Sequence, residues 1–168
     1  MKRILAPILL LTLLFPSIAM GETVKWDDLK KWDGLYYKKS SGVPFTGKTT
    51  VTGKTLGEIQ GTFRNGKKHG PSVSYWDNGQ VFRTGTFKDG KEDGPFVGYY
   101  KNGQLRNKGT YEDGKMDGPW VSYYKNGRLG YKGTFKDGKK VGPWVHYNED
   151  GTVWKSLTGT YKNGVKVN

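Results

Sequence analysis

The sequence predicts an all-β fold: an elongated, single-layer antiparallel meander sheet built of β-hairpin repeats about 24 residues long. Three observations lead there. The triplet Gly-Thr-aromatic recurs at Gly61, Gly85, Gly109, Gly133 and Gly159, with spacings of 24, 24, 24 and 26 residues. A fixed period in the twenties marks a repeat array, and Gly85–Lys108 matches Gly109–Lys132 at 16 of 24 positions. Asn-Gly or Asp-Gly pairs flanked by aromatic and β-branched residues punctuate each unit, the strongest short-range hairpin signal. Finally, 26 Gly with 6 Trp, 11 Tyr and 7 Phe do not fit a Leu- and Ala-rich helical bundle.

Taken in chain order, residues 1–21 read as a signal peptide. Lys2 and Arg3 precede an apolar run from Ile4 to Phe15, and the small residues Ser17, Ala19 and Gly21 follow, as a cleavage site requires. The expected product is exported, to a periplasm or beyond. Residues 22–60 form an N-terminal cap with a degenerate first repeat in DGLYYKKSSGVPFTGK. The three-residue spacing of Trp26, Leu29 and Trp32 predicts a helical turn there.

Residues 61–158 hold four repeats. Each reads approximately GTFKDGKxDGPWVxYYKNGxLxxK. Asn78-Gly79, Asn102-Gly103 and Asn126-Gly127 predict type I′ turns at one end, and Asp89-Gly90, Asp113-Gly114 and Asp137-Gly138 the same at the other. Gly94-Pro95 and its counterparts are expected to begin the next strand, where a missing donor costs least. Period two then puts Val97 and Tyr99 (with Val73/Tyr75, Val121/Tyr123 and Val145/Tyr147) on one face, and Phe96, Trp120 and Trp144 on the other. The recurring glycine inside the outgoing strand predicts a close approach by an aromatic ring of the adjacent strand. Residues 159–168 close the array as a capping hairpin.

The text GTFKDGK..GPWVSYYKNGQL resembles the bacterial variant of the MORN repeat, and DGLYYKKSSGVPFTGK is similar to the opening unit of such proteins. The resemblance implies an elongated, single-layered antiparallel sheet. Many bacterial members are labelled antitoxin-like, and better-studied MORN repeats are similar to interaction or membrane-proximal modules for which phospholipid binding has been proposed.

Composition narrows the chemistry. The chain has no Cys, which excludes a disulfide scaffold, a thiol nucleophile and a Cys-ligated metal site. Its two histidines, His69 and His146, do not recur between units, and the carboxylates fall mostly in turns, where they serve geometry. No catalytic residue, cofactor site or metal site is assigned, and the expectation is a non-enzymatic binding protein.

A single-layer sheet cannot bury both faces, so one aromatic row is expected to stay open as a contact surface. The residues selected for partner binding are Trp76, Phe96, Tyr100, Trp120, Tyr124 and Trp144, with Lys101 and Lys125 steering. The expected partner is another protein. A second reading uses the formal charge of +13 and the lysines that follow nearly every turn to bind anionic lipid or envelope polymer. A third is an antitoxin-like inhibitor of a toxin. Export argues against nucleic acid.

Overall fold

A computed structural model describes residues 21–51 and 59–168; the proposed signal peptide lies outside the described residues apart from Gly21. The chain forms a long open sheet of hairpins, as the repeats predict. Its strands are β1 (Glu22–Lys25), β4 (Gly47–Thr50), β5 (Ile59–Arg64), β6 (Lys67–Tyr75), β7 (Val81–Lys88), β8 (Lys91–Tyr99), β9 (Leu105–Glu112), β10 (Lys115–Met116), β11 (Gly118–Tyr123), β12 (Leu129–Lys136), β13 (Lys139–His146), β14 (Gly159–Lys162) and β15 (Val165–Lys166). From β4 onward the strands pair antiparallel in chain order, with the two-residue β10 set beside β9 and β11 pairing with β9 further along. The exception is β1, which runs parallel to β4. A separate hairpin, β2 (Leu29–Trp32) with β3 (Leu35–Lys38), occupies the crossover between them. The predicted helical turn shrinks to one 3-10 turn, Trp26–Asp28, because Leu29–Trp32 pairs as a strand and leaves Trp32 exposed.

The two kinds of turn differ. At Asp89, Asp113 and Asp137 both central residues have positive φ, for example +50° at Asp113 and +84° at Gly114, the type I′ geometry expected from the sequence. Asn65-Gly66 and Asn163-Gly164 share that geometry, but the turns at Asn78, Asn102 and Asn126 do not follow the expectation. Among Asn102 and Gly103 only the glycine has positive φ. The Gly103 N–H donates to the Tyr100 carbonyl at 2.9 Å and the Tyr100 N–H donates to the Gln104 carbonyl at 2.8 Å. This is a three-residue loop, a type I turn followed by a left-handed glycine. The cause is local: Asn102 Oδ1 accepts the Gln104 N–H at 3.1 Å, an Asx turn that holds the asparagine at ordinary φ. Asn78 and Asn126 make the same bond.

Gly118-Pro119 opens β11 as expected, but Gly94-Pro95 does not begin a strand, since β8 runs through it, as β6 and β13 run through Gly70-Pro71 and Gly142-Pro143. Lys91 and Glu92 pair with Lys88 and Phe87, the ladder to β7 then skips, and it resumes with Phe96 opposite Gly85. Pro95 sits in that bulge, where an absent donor interrupts nothing.

One face of the sheet holds the core. Phe96, Trp120, Phe135, Trp144 and Tyr161 form a buried cluster, with Tyr111, Met116 and Tyr131 packed against it. The rings meet in sequence: Phe96 stacks on Trp120 at 5.7 Å, Trp120 meets Phe135 at 6.0 Å, and Phe135 meets Trp144 edge-on at 4.8 Å. The ladder explains how a single layer buries so much. Across the strands runs the row Ser72, Gly85, Phe96, Gly109 and, further along, Trp120, Gly133, Trp144, Gly159. A Cβ on Gly109 would overlap the Trp120 ring, and one on Gly133 the Trp144 ring. The predicted close approach is therefore present: each indole lies down in the notch of the preceding strand's glycine instead of standing off the sheet.

A second cluster, Val24, Leu29, Phe45 and Phe63, packs where the β2–β3 hairpin covers the first repeat, with Trp26 and Tyr36 against it. Tyr36 meets Phe63 at 5.0 Å, and its N–H donates to the Gly66 carbonyl at 2.8 Å. Ser72 stands where later repeats carry Phe or Trp, so the two clusters are separate.

Candidate functional site

The row selected from the sequence divides under the structure. Phe96, Trp120 and Trp144 are 6%, 3% and 1% exposed. They are core, a correction to the open aromatic row, and the physical reason is the glycine notch that turns each ring inward. Trp76, Tyr100 and Tyr124 are half-buried and already engaged. Trp76 Nε1 donates to the Tyr99 carbonyl at 3.2 Å, and the Tyr100 and Tyr124 hydroxyls donate to the Tyr123 and Tyr147 carbonyls at 2.7 Å. Each bond spans about one repeat, so this row ties neighbouring hairpins together.

Three of the turn lysines are paired as well. Lys101 contacts Asp77 at 2.6 Å, Lys91 contacts Asp113 at 2.8 Å and Lys115 contacts Asp137 at 3.5 Å. The Lys101 side chain holds the Asp77 carboxyl below the usual carboxylate range, mainly by donating to it. Lys125 is exposed and has no ion pair among the described residues. The tips thus present alternating charges along the array, because a cation of one unit faces the carboxylate of the next.

The opposite face carries the open surface. Register places Val97, Lys108, Val121 and Lys132 side by side on successive strands β8, β9, β11 and β12, with Val145 next on β13. Four strand steps at ~4.8 Å make this row about 19 Å long. Beside it Pro95 pairs with Thr110, and Pro119 with Thr134. Together these residues line an open groove of about 810 Å³ that continues to Pro143. The valines are half-buried, while Lys108 and Lys132 are exposed and form no ion pair among the described residues. Tyr99, Tyr123 and Tyr147 lie two positions beyond the valines on the same face, also half-buried. The arrangement offers an apolar stripe with a cation every second strand.

The Val/Tyr alternation is plain in the sequence. What could have selected this face was the glycine pairing: rings opposite glycines are consumed internally, whereas the valines opposite lysines are not. His146 is buried on the core side, with Nε2 3.0 Å from Lys140 Nζ, and burial pushes its pKa down. His69 lies 3.4 Å from Asp89 at an exposed turn. Among the described residues no group of three or more His, Cys, Asp or Glu could hold a metal ion, and no helix is long and apolar enough to cross a membrane.

The comparisons with known families agree with this architecture. The model described as MORN repeat matches residues 60–81. The model described as MORN repeat variant matches residues 92–113 and 116–137. No curated protein matches the chain. The matched segments fall on hairpins along the long sheet, and the chain carries MORN repeats, one of the general form followed by two of the variant form.

Proposed function

We propose that this chain is an exported, non-enzymatic scaffold that binds another protein along the groove beside Val97, Val121 and Val145. MORN repeats are typically membrane- or protein-binding modules, and the family is non-enzymatic. The observation that carries the reading is the cross-strand row in which unpaired Lys108 and Lys132 alternate with half-buried valines. An apolar stripe edged by unpaired cations complements a partner segment that carries apolar side chains and carboxylates. The ion pairs at Lys91, Lys101 and Lys115 weigh against the lipid or polymer reading, because these turn lysines already face carboxylates.

The test is cross-linking capture of the full chain in its own cells, repeated with Val121→Glu and with Lys108→Glu/Lys132→Glu. The expected result is one saturable protein partner, lost with either groove variant and kept with Tyr124→Phe. A partner retained by both groove variants, or recovery of envelope lipid or polymer alone, overturns the assignment.

A further inference from the structure

Where the β2–β3 hairpin meets the first repeat, a second pocket opens, away from the groove. Its volume is about 150 Å³, and it is lined by Lys31, Lys67 and Lys68, the rings of Tyr36 and Phe87, and the turn glycines Gly34, Gly66 and Gly90. At ~30 Å³ per liquid water, that space holds about five first-row atoms, the size of a tetrahedral oxyanion.

The charge in this seam is not balanced. None of the three lysines forms an ion pair among the described residues, and none of the described lining residues is acidic. The neighbouring carboxylates are engaged elsewhere. Glu92 is held by Arg83 at 2.9 Å, and Asp89 by Arg64 at 2.8 Å with His69 alongside. Lys68 lies with its ammonium 4.8 Å from the centre of the Phe87 ring, and Lys31 lies 5.6 Å from that of Tyr36. Burial, and then the charge of Arg83, hold Lys68 down to about 8; Glu92 opposes the shift and Lys31 adds a smaller push downward. A desolvated amine such as Lys68, with the exposed Lys31 and Lys67 lining the same pocket, is unfavourable in its charged form until an anion joins it.

We propose that Lys31, Lys67 and Lys68 form a binding site for a phosphate or phosphomonoester group at the junction of the N-terminal hairpin and the repeat array. Three ammonium groups suit a dianion better than a single carboxylate, and lysine serves phosphate as a point charge that needs no fixed fork. The site lies between Tyr36, which packs on the N-terminal cluster, and Phe87 of β7, so an occupant would hold the cap on the array.

The test is a thermal-unfolding titration of the full chain with inorganic phosphate, ionic strength held constant with chloride. A parallel measurement follows amine acylation at Lys68 by mass spectrometry. Saturable stabilisation is expected, together with roughly tenfold slower labelling of Lys68. Both should weaken about tenfold in Lys67→Met, in line with the loss of one charge-assisted bond, and survive in Lys108→Met/Lys132→Met. Lys31→Gln provides a second variant at an exposed position. Flotation with vesicles containing phosphatidic acid, against phosphatidylcholine alone, separates a lipid headgroup from a soluble phosphate. Equal stabilisation by chloride, or an unchanged response in both Lys67→Met and Lys31→Gln, would falsify the site.

Discussion

Gly133→Ala and Gly85→Ala are the same change at the same repeat position, and the structure predicts opposite signs. Neither glycine has positive φ, so the gain from stiffening the unfolded chain is shared, about 0.4–1 kcal/mol in each case. The surroundings differ. At Gly85 a new Cβ meets Phe96 Cδ2 at 3.7 Å, an ordinary contact. At Gly133 it would overlap the indole of Trp144, which is 1% exposed and has Phe135, Tyr131 and Tyr161 around it. Displacing that ring is overpacking, which costs about 1–3 kcal/mol. The expected result is a net loss of about 1–2 kcal/mol for Gly133→Ala and a gain of up to about 1 kcal/mol for Gly85→Ala. Urea unfolding followed by tryptophan emission reads both midpoints, and hydrogen exchange checks that the change is local to each repeat. If the two variants move the midpoint equally in the same direction, the notch explanation of the core is wrong.

Further outcomes follow from other contacts. Trp144→Ala should cost about 3–5 kcal/mol, whereas Tyr124→Phe, which loses one bond to the Tyr147 carbonyl, should cost about 0.5–1.5 kcal/mol; chemical denaturation ranks them. The turn assignments predict a contrast: Asn102→Gly destabilises by about 1 kcal/mol, while Asp113→Gly, at a residue already with positive φ and exposed to solvent, stays within about 0.5 kcal/mol. Lys68 is depressed to about 8 by burial and then by Arg83. Between pH 8 and 10.5 the unfolded chain therefore binds more protons there, and stability rises with pH across that window. After allowance for partial exposure the rise attributable to Lys68 is about 1–2 kcal/mol. Comparing the phosphate-free protein with Lys68→Met over that range isolates it, and identical slopes would refute the environment described for this amine.

The repeat and its strands were legible because a glycine triplet at constant spacing and Asx-Gly turns act through nearest neighbours in sequence. The working face was not. Trp120 and Tyr123 both belong to an alternating aromatic pattern, and only the cross-strand partner decides which one is spent on packing. Trp120 lies opposite Gly133 and fills the notch at Gly109, a fact of register rather than of strand composition. The turn type at Asn102 was missed for a related reason: its side chain accepts the Gln104 N–H, and that bond outweighs the tolerance of asparagine for positive φ. The phosphate seam was out of reach altogether, since Lys31 stands 36 positions before Lys67 and reaches it only after the hairpin folds over Phe63.

The notch that receives each indole also gives the array a direction. Gly109 waits for Trp120 and Gly133 for Trp144, so each of these units is completed by residues that leave the ribosome after it. A chain emerging from its N-terminus would always carry one unfilled socket at its growing end, and each new hairpin would plug the last socket while opening another. At Gly159 the socket is filled differently: the Asn168 carbonyl and the Lys166 side chain close on the glycine, and the Asn168 side chain accepts the Thr160 N–H at 2.9 Å, so backbone and a lysine stem take the place that a ring holds in the earlier units.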